Sequence, residues 1–140
     1  MKITEMSIKN YEEVAALWQA AEGIGLDTDI DTKERIAMYL QRNPGLSFVA
    51  WENSKVIGAV LCGHDGRRGY LHHLTVAKAY RNKGIGKALV EKVLSKLRLL
   101  GIRRCHIFVF ADNPAGQELW KNIGWTKPAD LKIMSKSIML

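Results

Sequence analysis

Apolar positions recur along this chain at two periods, and the switches between them mark its elements. Lys2 to Ser7 reads as a short strand. Asn10 then caps a helix, with Glu13 three residues on to complete a capping box, and Val14, Leu17, Trp18 and Ala21 follow at helical spacing. A Gly- and Asp-rich loop runs from Glu22 to Asp31, and a second helix begins near Asp31 or Thr32 with Ile36, Tyr39 and Leu40 on one side. Asn43-Pro44-Gly45 ends it.

The period then shortens to two. Leu46 to Trp51 and Lys55 to Cys62 read as a hairpin around Glu52-Asn53-Ser54, and Tyr70 to Val76 as a further strand. If that strand is unbroken, Tyr70, His72, Leu74 and Val76 share one face and His73 the other. Gly84 to Leu100 is the clearest helix, with Ile85, Ala88, Leu89, Val93, Leu97 and Leu100 as its apolar stripe and Gly101 as its stop. Arg104 to Ala111 reads as a buried strand, Asn113-Pro114 opens a last helix ending at Gly124, and Trp125–Thr126 and Lys132–Ile138 supply terminal strands. The order β-α-α-β-β-β-α-β-α-β-β predicts a mixed α/β (α+β) fold, a mostly antiparallel sheet flanked by helices.

Composition narrows the setting. The 140 residues suffice for one core, and no repeat or linker divides them, so a single domain over 1–140 is expected. The N-terminus lacks the apolar stretch of a signal peptide and no run approaches a membrane span, so a cytoplasmic protein without a membrane partner is expected. Cys62 and Cys105 lack metal-ligand spacing and read as reduced, buried thiols; no metal is expected.

The net charge of +7 is concentrated. Residues 78 to 104 hold nine Lys or Arg against Glu91 alone, which suits an anionic ligand. Within that segment, Arg81-Asn82-Lys83-Gly84-Ile85-Gly86-Lys87 joins a strand to a helix. Two glycines permit a tight turn and close approach of backbone to ligand, and the unpaired N–H groups of the first helical turn favour phosphate. A P-loop is excluded because Arg81 stands where its first glycine is needed and Ala88 where Ser or Thr is needed. A dinucleotide fingerprint fails at Leu89. Nucleic acid is not expected, since no helix-turn-helix, zinc or RNA-binding motif accompanies the charge.

The run from Leu74-Thr75-Val76 through Arg81-Asn82-Lys83-Gly84-Ile85-Gly86 resembles the main motif of the Gcn5-related N-acetyltransferase (GNAT) family, Arg/Gln-x-x-Gly-x-Gly/Ala after a strand. The likeness extends over the helical entry Lys9–Trp18 and the Asn113–Trp125 helix, and it looks nearest to the small bacterial type similar to ribosomal-protein-alanine acetyltransferases.

The resemblance implies the acyl-CoA N-acyltransferase fold. It also implies transfer of acetyl from acetyl-CoA to a primary amine, on a peptide or a small molecule, by direct attack in a ternary complex. The alternative is a weak or inactive acyl-CoA-binding member of the same fold. Main-chain N–H groups of Asn82, Lys83, Gly84, Ile85, Gly86 and Lys87 are implied to hold the pyrophosphate, with charge from Arg81, Lys83 and Lys87. Main-chain groups of Leu74 and Val76 are implied to pair with the pantetheine arm, an N–H near Leu74 or Thr75 to polarise the thioester carbonyl, and Asn113 to contact the pantetheine.

His72 is the expected base, with Tyr70 orienting a water. His73 is left to the opposite face, although a bulge in this strand would exchange the two, and His64 and His106 are left to a loop and the core. The family's general-acid Tyr, seven residues after Asn113, is Trp120 here. Asp27, Asp29 and Asp31 are available to attract a cationic amine, and the chain is expected to act as a monomer or homodimer.

Overall fold

The computed structural model describes residues 1–139. Its strands are β1 (Lys2–Glu5), β2 (Phe48–Glu52), β3 (Lys55–His64), β4 (Gly69–Val76) and β5 (Cys105–Ile107), and its helices α1 (Tyr11–Ala20), α2 (Lys33–Arg42), α3 (Ile85–Leu99) and α4 (Pro114–Asn122). The strands form one sheet in the order β1-β2-β3-β4-β5. All neighbours are antiparallel except β4 and β5. That parallel pair is joined through α3, the crossover that a parallel connection requires. The expected α+β architecture is therefore present.

Each face of the sheet carries its own core. On one, α1 and α2 bring Val14, Trp18 and Ile36 against Val49, Val56, Ala59 and Leu61. On the other, Ile85, Leu89, Val90, Val93 and Leu97 of α3 cover Phe48, Ala50, Ile57, Val60 and Leu71. The stripe read from sequence is thus the buried face of α3, except that Leu100 stands 55% exposed where Gly101 (φ 78°) turns the chain away.

Several local expectations are corrected. The capping box sits one turn earlier: Ser7 Oγ accepts from Lys9 N, and Asn10 Oδ1 accepts from Ser7 N, around a 3-10 turn at Ile8–Asn10. Asn10 caps nothing with its side chain as α1 begins, and Glu13 instead accepts from Val56 N at 3.4 Å. The second helix is capped by Thr32, whose Oγ1 accepts from Arg35 N. β5 is three residues long and half-buried, and Phe108 and Phe110 beyond it are 58% and 54% exposed. Neither Trp125–Thr126 nor Lys132–Ile138 forms a strand. Alternation alone promotes such segments, but a strand also needs a paired neighbour, and none flanks them here. Cys62 is buried as read; Cys105 is only half-buried, and both thiols are free.

The largest correction lies in β4. Ala59 pairs with Thr75 and Leu61 with His72, so three steps along β4 match two along β3. The extra residue is His73, whose φ is 52°. The strand's facing inverts there. Tyr70 and His72 face the α2 side, where His72 meets the Tyr39 ring at 6.2 Å, and Leu74 and Val76 pack on the α3 side. His73 does not cross to the opposite face: it stays on the helical side of α1 and α2, with its ring 5.1 Å from Trp18.

Candidate active site

The bulge and the early end of β5 leave a gap in the sheet. β5 pairs with β4 only over Gly69, Tyr70 and Leu71. Past that point the outer edge of β4 has no strand beside it. Ala77 N donates to Ile57 O at 2.8 Å, so ladder alternation turns the N–H and C=O of Leu74 and Val76 away from β3 and toward this open edge. An extended ligand bearing amides is the natural complement. One of the acceptors is already taken, because Arg81 Nε donates to Val76 O at 3.0 Å. Arg81 thus ties the loop to the strand end, and Val76 keeps its N–H for a ligand. Thr75 is buried on the other side, with Oγ1 donating to His73 O at 3.1 Å.

The loop after β4 delivers the chain to the N-terminus of α3 beside that edge. Asn82 (φ 62°) and Gly84 (φ 81°) both adopt left-handed backbone, which lets the chain curl before Ile85. No side chain caps α3, and no acidic residue lies in its first turn. Its first N–H groups and the positive end of its dipole therefore face outward uncompensated, flanked by exposed Lys83 and Lys87. A Cβ at Gly86 would rest 3.7 Å from Val76 Cγ2 and 3.8 Å from Leu74 Cδ2, both ordinary contact distances, which places the helix start beside the end of β4. Loop and edge form one continuous surface that fits a pyrophosphate joined to an amide-bearing arm.

On the α2 side of β4 lies a cavity of about 650 Å³, lined at one end by Asp31, His72 and His73. Two histidines share it because the bulge inserts His73 beside His72. His73 Nε2 lies 3.0 Å from Asp31 Oδ2, with the two side chains only 14% and 10% exposed. Asp31 comes from the end of the loop before α2, and its Oδ2 also accepts from Asp27 N at 2.9 Å. Burial holds the His72 imidazole below its usual range, aided by the neighbouring His73 and opposed by Asp31, so His72 is a neutral acceptor at neutral pH. Tyr70 stands farther out on the same face, stacked on Phe108 at 6.3 Å and lining a smaller cavity of about 190 Å³ with His72 and Tyr39.

Comparison with known proteins agrees with this geometry. The model of the acetyltransferase (GNAT) family matches residues 8–125. Acetyltransferase YPTB2753 of Yersinia pseudotuberculosis is 32% identical over 117 residues, covering 82% of this chain and 80% of its own. The chain belongs to the GNAT acetyltransferase family. Two solved structures share its fold. The PaiA N-acetyltransferase of Thermoplasma acidophilum in complex with coenzyme A has a TM-score of 0.78 and 20% identity, covering 89% of each chain. The ribosomal-protein-S18-alanine N-acetyltransferase of Escherichia coli has a TM-score of 0.72 and 19% identity, covering 88% of this chain and 76% of its own.

This GNAT protein is accordingly an acetyl-CoA-dependent N-acetyltransferase. No helix is long and apolar enough to cross a membrane among the described residues. The remaining sequence-derived residues have structural partners of their own. Asn113 caps α4, its Oδ1 accepting from Gly116 N at 3.0 Å. Trp120 is half-buried, its ring 4.9 Å from that of Trp125, and it packs against the α3-side core. His64 closes β3, with Nδ1 accepting from Gly66 N, and His106 is half-buried in β5 with its ring 5.7 Å from Tyr70.

Two members of the site were not singled out as catalytic from sequence, His73 and Asp31. The adjacency of His72 and His73 in a strand was the available signal, but only a bulge gives it meaning. The acidic loop also reads differently in three dimensions. Asp27 Oδ1 accepts from Asp29 N at 2.7 Å, and Asp31 is occupied as above, so these carboxylates chiefly fold the loop and hold His73.

Proposed function

We propose that this acetyltransferase binds acetyl-CoA along the β4 edge and the Asn82–Lys87 turn, and acetylates a primary amine seated in the cavity between α2 and β4. The observation carrying this reading is the bulge at His73, which sets two histidines on the acceptor side directly before the free strand edge. N–H groups of Asn82, Lys83, Gly84, Ile85, Gly86 and Lys87 hold the pyrophosphate. Arg81 braces the turn, and Lys83 and Lys87 add charge. The Leu74 C=O and the Val76 N–H pair with the pantetheine, and the Leu74 N–H, which alternation turns to the open edge while that of Thr75 stays in the β3 ladder, polarises the thioester carbonyl. Asn113, while capping α4, borders the same arm.

The chemistry requires a neutral nucleophile. An alkylammonium has a pKa of about 10.4, so a proton must be removed before or during attack. The amine nitrogen attacks the acetyl carbonyl carbon, the C–N bond forms, and the C–S bond breaks. The amine proton passes to the His72–His73 pair, with Tyr70 orienting a water that carries it outward, and the thiolate leaves to be protonated by solvent. Asp31 fixes the tautomer of His73: if Nε2–H donates to the carboxylate, Nδ1 is the free acceptor. A thiol of pKa about 8.5 leaves as thiolate readily, so Trp120 in place of a phenol is compatible with turnover.

The test is detection of acetylated products by mass shift across a panel of small amines and N-terminal peptides, the acceptor named for one structural neighbour being a ribosomal-protein alanine. Loss of product formation on His72→Ala, His73→Ala or both, with acetyl-CoA binding kept, supports the reading. Full turnover in the double variant would overturn the assignment of the base.

A further inference from the structure

The acceptor cavity is not electrically matched to a simple cationic amine. Besides Asp31, its charged lining is Arg35 and Arg42. Both arginines lie on α2, and Tyr39 lies between them, at the i, i+4 and i+7 positions that place side chains on one helix face. Their Cα atoms are separated by roughly 10 Å along the axis at the usual helical rise. Among the described residues neither guanidinium enters an ion pair or donates to a carboxylate, whereas Lys33 of the same helix is paired with Glu12 at 2.7 Å. The one acid lining the cavity, Asp31, already serves His73 and the Asp27 N–H. Arg35 and Arg42 against Asp31 therefore leave the lining one excess positive charge.

Ile30, Ile36, Met38 and Leu61 make most of the remaining wall apolar, with Gln41 as its polar member. Beside Arg42, which also lines the smaller cavity, the Tyr39 hydroxyl is buried without any hydrogen-bond partner, and burial keeps it protonated as a donor. Guanidinium groups on a cavity wall select carboxylate or phosphate, and they repel a polycation.

We propose that the acceptor is a primary amine that also bears an anionic group, a carboxylate or a phosphate, beyond an apolar linker, and that Arg35 and Arg42 receive the anion while the amine lies at His73. This rests on the acetyl-transfer reading of the same cavity and adds its substrate class.

The test compares amines that differ only in the anion. The full-length protein, saturated with acetyl-CoA, is given β-alanine, γ-aminobutyrate and ε-aminocaproate beside their amides, and phosphoethanolamine beside ethanolamine. The anionic members should show a KM at least about tenfold below their neutral counterparts, the usual scale of one charge-assisted contact. The carboxylate and phosphate arms tell which anion is preferred. Arg35→Gln with Arg42→Gln should erase the preference, and Arg42→Lys should restore part of it.

Equal KM for acids and amides in the wild type, or a preference that survives in the double variant, overturns the proposal. A second arm does not depend on turnover: N-acetyl-ε-aminocaproate and its amide are titrated calorimetrically into the protein with CoA. Tighter binding of the acid, lost in the double variant, upholds the anion site even if no amine is acetylated, an outcome that would sink the transfer reading instead. Equal binding of acid and amide overturns the anion site whatever the turnover.

Discussion

His73 Nε2 and Asp31 Oδ2 lie 3.0 Å apart although 42 residues separate them in the chain. The contact joins the sheet to the loop that precedes α2, and it exists because β4 carries one residue too many at His73. Without the bulge, His73 would point to the α3 side and Asp31 would face a different strand residue. The loop's own turn reinforces the pairing, since Asp31 Oδ2 accepts from Asp27 N as well. A carboxylate so held fixes both the orientation of the imidazole and which of its nitrogens is open to the cavity.

His73→Ala is therefore expected to lower kcat by about 10²–10⁴-fold, the range for a positioned acid or base, while leaving acetyl-CoA affinity within about twofold. Asp31→Asn should lower kcat less, because it leaves the imidazole in place and keeps an amide oxygen able to accept from Nε2–H. Steady-state kinetics with a separate calorimetric measurement of acetyl-CoA binding decides the matter. Parallel loss of rate and cofactor affinity would mean that His73 shapes the β4 edge and takes no part in proton transfer.

His72 gives the fold a pH dependence of known sign. Its native pKa is depressed, chiefly by burial and further by His73, so the unfolded chain binds its proton at higher pH than the native protein does. Stability linked to this group is fully present above the unfolded value of about 6.5 and is lost as pH falls through the native value. Denaturant melts taken stepwise from neutral to mildly acidic pH should show this decline, and His72→Gln should flatten it. An unchanged slope in the variant would place the acid sensitivity elsewhere.

The α3 N-terminus supplies a direct test of the cofactor site. Acetyl-CoA at about 100 times its dissociation constant should stabilise the native state by about 2.7 kcal/mol. Gly86→Glu should abolish that increment. The added Cβ meets Val76 and Leu74 only at ordinary contact distance, so the variant is expected to fold. Its carboxylate, however, sits at the uncapped helix start where phosphate would bind. Thermal unfolding with and without acetyl-CoA reads both effects, and an undiminished shift in the variant would remove the pyrophosphate from this turn.

How much of this was legible in the sequence follows from how local each feature is. The α3 stripe and the Arg81–Lys87 turn are local: period 3.6, a glycine at positive φ and an uncapped helix start are all written within twenty residues. The start of α2 near Asp31 or Thr32 was likewise legible. The bulge at His73 could be named as an alternative but not decided, because inserting a residue into β4 depends on its register with β3, and no composition at His72-His73 demands it. Period-two reasoning then put Leu74 and Val76 on the same face as His72, and the error propagated to His73. Asp31 was noticed only as one of three loop carboxylates, since its partner lies on another element. The terminal strands failed for the same reason as the bulge: alternation describes one strand, whereas a sheet needs two.

Trp120 holds the sequence position at which the resemblance implies the family's general acid, seven residues after Asn113. Its ring meets Trp125 edge-on at 4.9 Å, its carbonyl accepts from Trp125 N at 2.9 Å, and its side chain packs with Ile123 on the α3-side core. Those are the contacts of a residue that fastens α4 to the sheet. A fully buried Trp→Ala change costs about 3–5 kcal/mol, and half-burial places Trp120→Ala below that, at about 1–3 kcal/mol. Trp120→Phe, which keeps an aromatic edge for Trp125, should cost less than the alanine variant and leave turnover per folded molecule unchanged.

Trp120→Tyr separates packing from chemistry. A phenol near the departing sulfur can protonate it, but a thiol of pKa about 8.5 needs little help near neutral pH. Any gain should therefore stay well under the 10²–10⁴-fold of positioned acid catalysis. The measurement is turnover at saturating acetyl-CoA for the Phe and Tyr variants, with melting temperatures beside it. Equal turnover in both and a graded loss of stability from Tyr or Phe to Ala is the result expected of a packing residue. A rate rise in Trp120→Tyr alone, fading as pH rises toward the phenol's pKa of about 10, would show instead that sulfur departure limits turnover and that this position reaches the reacting bond.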